Sequence, residues 1–186
     1  MKLTSLNDQK TRFTRQCISE AILSFLEDNE ERLKVSAIAA KAGVSRITFY
    51  KYYRDPYDAL RDYLGIILSE YIEESGKEQS AGTYYSYEHI LYSIRFFDRY
   101  SRYFLTLSQH NLHYIILEGI NNYMISQSQM NHPSSLYEIY CYAGGLFNTF
   151  LKWEENGKKE TPEELARVIY HLYHAGFEFE NQDGQQ

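Results

Sequence analysis

The stretch VSAIAAKAGVSRITFYKYY at residues 35–53 decides how the rest of this chain is read. Val35, Ile38, Ala39 and Ala42 recur at three- and four-residue steps, the period of one helix face. Gly43 ends that helix, because glycine adopts the left-handed backbone of a tight turn without a Cβ penalty. Ser45 stands as an N-cap, its hydroxyl placed to accept from a free N–H in the first turn of a second helix over 46–52. Ala39 is small where the two helices cross, and Val44 and Phe49 are apolar where the second must pack on the first. Two short helices joined this way make a helix-turn-helix. Such a unit can lay its second helix in the major groove of DNA, with the N-terminal residues at the base edges.

The helical period continues outward from this stretch. Upstream, Cys17, Ile18, Ala21, Ile22, Phe25 and Leu26 mark a helix over 13–27 that Asp28-Asn29 closes. Downstream, Asp55-Pro56 pairs a capping acid with a proline at the first helical position, where its missing N–H is not needed. Leu60, Leu64, Ile67, Leu68, Tyr71 and Ile72 then mark a long amphipathic helix. SGKEQSAGT at 75–83 reads as a loop. The segment 85–130 is helical, with breaks expected near Tyr100-Ser101 and His110-Asn111. His132-Pro133-Ser134 is a loop, and 135–155 is a long apolar helix that Asn156-Gly157 ends. Thr161-Pro162-Glu163-Glu164 opens the last helix, and the tail from Glu178 is polar. No alternating segment of convincing strand length occurs. The expectation is an all-α fold of about nine helices, with a helix-turn-helix domain at 1–55 and a helical domain at 56–186.

Charge is distributed in keeping with this division. Residues 1–55 carry ten Lys/Arg against seven Asp/Glu, a balance of +3, whereas residues 56–186 carry nine against eighteen, a balance of −9. A basic first third on an acidic body suits an anion-binding module whose remainder avoids nucleic acid. No apolar run approaches the roughly 18 residues of a membrane span, and the start lacks the apolar core of an export signal. With only Cys17 and Cys141, a reduced, cytoplasmic setting is expected.

IAAKAGVSRITFYKYYRDPYDAL at 38–60 resembles the DNA-binding domain of the TetR family of bacterial transcription regulators, and TRFTRQCISEAILSFLED at 11–28 resembles that family's first helix. The resemblance covers about residues 11–64. It implies a three-helix DNA-binding domain and a larger helical domain that forms a homodimer and encloses a small-molecule effector. By motif position, Arg46 and Thr48 lie on the exposed start of the recognition helix, where Arg46 offers its fork to guanine. Tyr50 matches the tyrosine that hydrogen-bonds a phosphate. Lys51, Tyr52 and Arg54 meet base edges or phosphates at or just past the helix end, and Ser36 and Ser45 are further phosphate contacts. Two positions depart from the family pattern. Pro56 replaces a lysine, which removes one phosphate contact, and Lys34 replaces a threonine cap, trading a cap for a cation.

In the body, Leu136, Ile139, Tyr140, Ala143, Gly144, Phe147, Phe150 and Leu151 share one side of a helix, and Leu165, Val168, Ile169 and Leu172 continue the pattern in the last helix. The resemblance implies that these helices form a four-helix bundle between two subunits. Leu136, Tyr140, Gly144, Phe147, Phe150, Leu151, Val168, Ile169 and Leu172 are therefore the expected dimer interface, with an intramolecular core as the alternative. Eleven tyrosines within 84–142 suit either a ligand pocket with polar tips or a tyrosine-rich core and surface. The four histidines between 89 and 132 are not in metal-ligand order, so neither a metal nor a cofactor is expected.

An enzyme is not expected. There is no glycine loop after a strand to cradle phosphate, no HExxH and no nucleophile elbow. The reading is a ligand-responsive repressor that binds a palindromic operator in double-stranded DNA as a dimer. The alternative is an activator or co-regulator of the same fold acting mainly through a protein partner.

Overall fold

A computed structural model of the chain describes the backbone of residues 6–29, 32–75, 85–131 and 136–180. Among these residues every regular element is a helix: α1 (Leu6–Glu27), α2 (Val35–Lys41), α3 (Arg46–Tyr52), α4 (Pro56–Ser75), α5 (Tyr87–Asp98), α6 (Ser101–Gln109), α7 (His113–Asn131), α8 (Leu136–Glu155) and α9 (Pro162–Glu180). The all-α class and both breaks inside 85–130 are as expected. Of the loop expected at 75–83, Ser75 is instead the last residue of α4, and the remainder, like the loop expected at 132–134, lies outside the described residues. The first helix begins seven residues before the expected 13. LeuAsnAspGlnLysThrArg at 6–12 shows no apolar period, but nothing in it opposes helix, so the period marks only the packed part. The last helix runs on to Glu180.

Helix ends carry local signals that explain the boundaries. Asp55 accepts from the N–H groups of Tyr57 and Asp58 at 2.8 and 2.9 Å, with Pro56 following as the first residue of α4. Thr161 and Glu164 form a reciprocal capping box. The Glu164 N–H donates to Thr161 Oγ1 at 3.2 Å, and the Thr161 N–H donates to Glu164 Oε2 at 2.8 Å. Asn111 and Gly157 take positive φ where α6 and α8 end.

The chain divides into two compact units. Met1–Ser69 with Thr106–Tyr123 forms one, and Glu70–Leu105 with Met124–Gln186 forms the other. In the first, Ile18, Ile22, Leu23, Ile38, Phe49, Leu60, Leu64 and Ile67 are buried. In the second, α5 packs on α9, and Tyr71, Ile90, Ile94, Phe104, Tyr142, Phe150 and Ile169 are buried. Tyr71 stacks on Phe97 at 5.1 Å and meets Phe96 edge-on at 5.2 Å. A Cβ on Gly145 would lie 2.5 Å from the Tyr173 hydroxyl, which donates to the Tyr142 carbonyl at 3.2 Å. That glycine admits a side chain of α9. Tyr103 and Tyr142 are core, whereas Tyr114, Tyr137 and Tyr140 are surface, so the tyrosine-rich segment serves packing as well as the exterior.

Candidate nucleic-acid interface

The site is built by the turn between α2 and α3. After Lys41 the chain leaves the helix through two backbone bonds: the Gly43 N–H donates to the Ala40 carbonyl at 3.2 Å, and the Val44 N–H donates to the Ala39 carbonyl at 2.9 Å. This paired closure requires a left-handed residue between them, and Gly43 supplies it at φ +68°. The chain then enters α3 through Ser45, whose Oγ accepts the Thr48 N–H at 3.0 Å and lies 2.9 Å from Thr48 Oγ1. The Gly43 closure and the Ser45 cap thus fix how the chain enters α3. Phe49 is completely buried and anchors that helix. Burial of a side chain of this size contributes about 2–3 kcal/mol.

With Phe49 inward, the opposite surface of α3 faces solvent. Arg46, Tyr50 and Lys51 are exposed, Thr48 and Tyr52 are half-buried, and the flanking Lys34, Ser36, Ser45 and Arg54 are exposed. All nine sequence-proposed contacts therefore belong to the helix-turn-helix or its borders and reach solvent at least in part. Among the described residues, Lys34, Arg46 and Lys51 have no carboxylate partner, which leaves three cations available to an anion. Arg54 Nε lies 3.4 Å from Asp58 Oδ2, yet its side chain is almost wholly exposed. Lys51 Nζ hovers 5.6 Å from the Tyr52 ring centre. The two departures from the family pattern have simple geometry. Lys34 occupies the cap position of α2 without a side-chain cap bond, and its carbonyl takes the Ala37 and Ile38 N–H groups at 3.0 Å each. Pro56 is buried as the first residue of α4.

Sequence reasoning missed four residues here. Tyr53, just past α3, is buried and donates to Asp62 Oδ2 at 2.7 Å. Arg15 of α1 grips both oxygens of the same carboxylate, with Nε on Oδ2 at 2.7 Å. Burial, and then the Asp62 carboxylate, hold the Tyr53 phenol well above its ordinary pKa, so it stays protonated. The hydrogen bond to Asp62 likewise raises the Arg15 guanidinium above its ordinary pKa. A buried tyrosine hydroxyl demands a partner, and that demand was the available signal. The fourth residue is Ile47, which is 84% exposed. Residues two apart on a helix point roughly 200° apart, so an inward Phe49 already implied an outward Ile47.

The expected dimer face divides in two. Phe147, Phe150, Leu151 and Ile169 are buried within the single chain, and Gly144 is half-buried. Leu136, Tyr140, Val168 and Leu172 are exposed. Leu136 and Tyr140 are four residues apart on α8, as are Val168 and Leu172 on α9, so each pair shares one helix face.

Among solved structures, the chain is similar to two bacterial regulators. One is the fatty acid degradation regulator FadR from Bacillus halodurans, at 14% identity and a TM-score of 0.54, covering 84% of this chain and 96% of that one. The other is the transcriptional regulator FadR from Bacillus subtilis in complex with stearoyl-CoA, at 17% identity and a TM-score of 0.54 with the same coverage. At these identities the likeness establishes a shared helical fold along nearly the whole length of those chains. No protein-family model matches the sequence, and no curated protein does. Among the described residues, no helix is long and apolar enough to cross a membrane.

Proposed function

We propose that this protein is a DNA-binding transcriptional regulator of the TetR type, a repressor that engages a palindromic operator as a homodimer in the cytoplasm and releases it when a small molecule binds. The observation that carries this reading is α3 itself. It is a capped, core-anchored helix whose outer surface presents Arg46, Tyr50 and Lys51 with no carboxylate paired to either cation among the described residues. Residues 1–55 form the DNA-reading part. Arg46 reads a base edge, and Lys34, Ser36, Ser45, Thr48, Tyr50, Lys51, Tyr52 and Arg54 hold the backbone or neighbouring bases.

Residues 56–186 supply the dimer and the effector site. The exposed pairs Leu136/Tyr140 and Val168/Leu172 are the self-complementary face. α4 starts beside the recognition unit at Pro56 and contributes residues to both compact units, which makes it the element through which an effector acts. Two recognition helices must be about 34–36 Å apart to enter successive major grooves, so a shift of a few ångströms releases the operator. Long-chain acyl-CoA is the first effector to test, because a regulator of the same fold is known with stearoyl-CoA bound. No catalytic role is proposed.

Selection of duplex DNA from a random pool tests this reading. It predicts enrichment of a two-fold symmetric sequence with half-sites about one helical turn apart. Recovery of no enriched sequence at micromolar dimer would overturn it.

A further inference from the structure

We propose that Ile47 is a base-reading residue and that it recognises the C5-methyl group of a thymine in the major groove. This inference rests on the DNA-binding reading and adds to it the identity of a base.

Ile47 is the second residue of α3 and is 84% exposed, while Phe49 two positions on is completely buried. The packing that anchors α3 therefore turns Ile47 outward, and folding gains nothing from an isoleucine there. Its branched Cβ even lowers helix propensity slightly. Arg46 precedes it, and Tyr50 and Lys51, three and four residues on, are exposed on the same side. One large apolar side chain thus lies at the centre of a surface that is otherwise cationic or hydroxyl-bearing.

The major groove offers one apolar group, the thymine methyl, and an aliphatic side chain placed on it removes both from water. A β-branched residue in a helix is held close to one χ1 rotamer, so little freedom is lost on contact. Arg46 and Ile47 together would read guanine and thymine as near neighbours.

The test uses the full-length protein and the duplex it enriches from a random pool. Each thymine is replaced in turn by uracil, which deletes only the methyl group. The expected result is one position per half-site where uracil weakens binding by about fourfold, the value of one buried methyl group. Ile47→Ala should bind the thymine and uracil duplexes equally, with unchanged helicity because the side chain is exposed. If uracil is neutral at every position for the wild type, the inference is overturned. It is also overturned if Ile47→Ala retains the thymine preference. If no duplex is enriched at all, the DNA-binding reading itself fails, and that outcome is distinct from the other two.

Discussion

Tyr53 donates its phenolic proton to Asp62 across 2.7 Å, and through that bond the residue that follows α3 is fastened to α4. Asp62 is held in turn by both nitrogens of the Arg15 fork from α1. Tyr53→Phe leaves Asp62 with Arg15 and should cost about 1–2 kcal/mol in urea denaturation. Asp62→Ala strands three donor groups, the Tyr53 hydroxyl and two Arg15 nitrogens, and should cost more, about 2–4 kcal/mol. Because the partners share one carboxylate, the double variant should be no less stable than Asp62→Ala alone.

Gly43 is required for its backbone, not for space. A Cβ there would meet nothing within 4 Å, but φ is +68°. Gly43→Ala should therefore destabilise by about 1–2 kcal/mol through backbone strain alone. Gly43→Asn, with a side chain that tolerates this conformation, should cost less. Equal losses for the two in thermal unfolding would point to a packing role instead.

His89 is buried on α5, with Nε2 2.7 Å from the Tyr71 hydroxyl. The Ser93 hydroxyl donates to the His89 carbonyl at 2.8 Å, which leaves its oxygen to accept from Tyr71, so His89 Nε2–H donates to the tyrosine oxygen. Burial holds the His89 pKa below its ordinary value. Between the lowered folded pKa and the ordinary 6.5, the unfolded chain binds a proton that the folded chain does not. The contribution to stability is thus complete above pH 6.5 and is lost as pH falls towards the folded pKa. Urea titrations from pH 8 to pH 5 should show this loss in the wild type, and His89→Gln should remove that component.

Leu172 is 69% exposed on α9, whereas Phe147 is buried on α8. Leu172→Glu should therefore yield a folded monomer by light scattering, with operator affinity lost because two half-sites can no longer be engaged together. Phe147→Glu should instead yield unfolded or insoluble protein. A Leu172→Glu dimer would exclude α9 from the interface.

Local signals made the helices and the helix-turn-helix legible in the sequence. Gly43, Ser45, Asp55-Pro56 and Thr161-Pro162 each specify a boundary through bonds within four residues of themselves, and the helices begin and end accordingly. That their own chain buries Phe147, Phe150, Leu151 and Ile169, which were expected at the dimer interface, was not legible. A helix shows the same apolar period whether its own chain or a second copy covers it, and only burial separates the two. Tyr53, Asp62 and Arg15 escaped for a related reason, since they meet across as many as 47 residues of sequence. No spacing rule reaches that far.

If α3 reads DNA sequence, the protein distinguishes duplexes of equal length. Fluorescence anisotropy at about 0.15 M salt compares two such duplexes, one enriched from the random pool and one scrambled. A preference of at least about a thousandfold for the enriched duplex is expected. Arg46→Ala should reduce that preference by about 1–3 kcal/mol, while Tyr50→Phe and Lys51→Ala weaken both duplexes alike. Equal affinity of the wild type for the two duplexes would rule out sequence reading by α3.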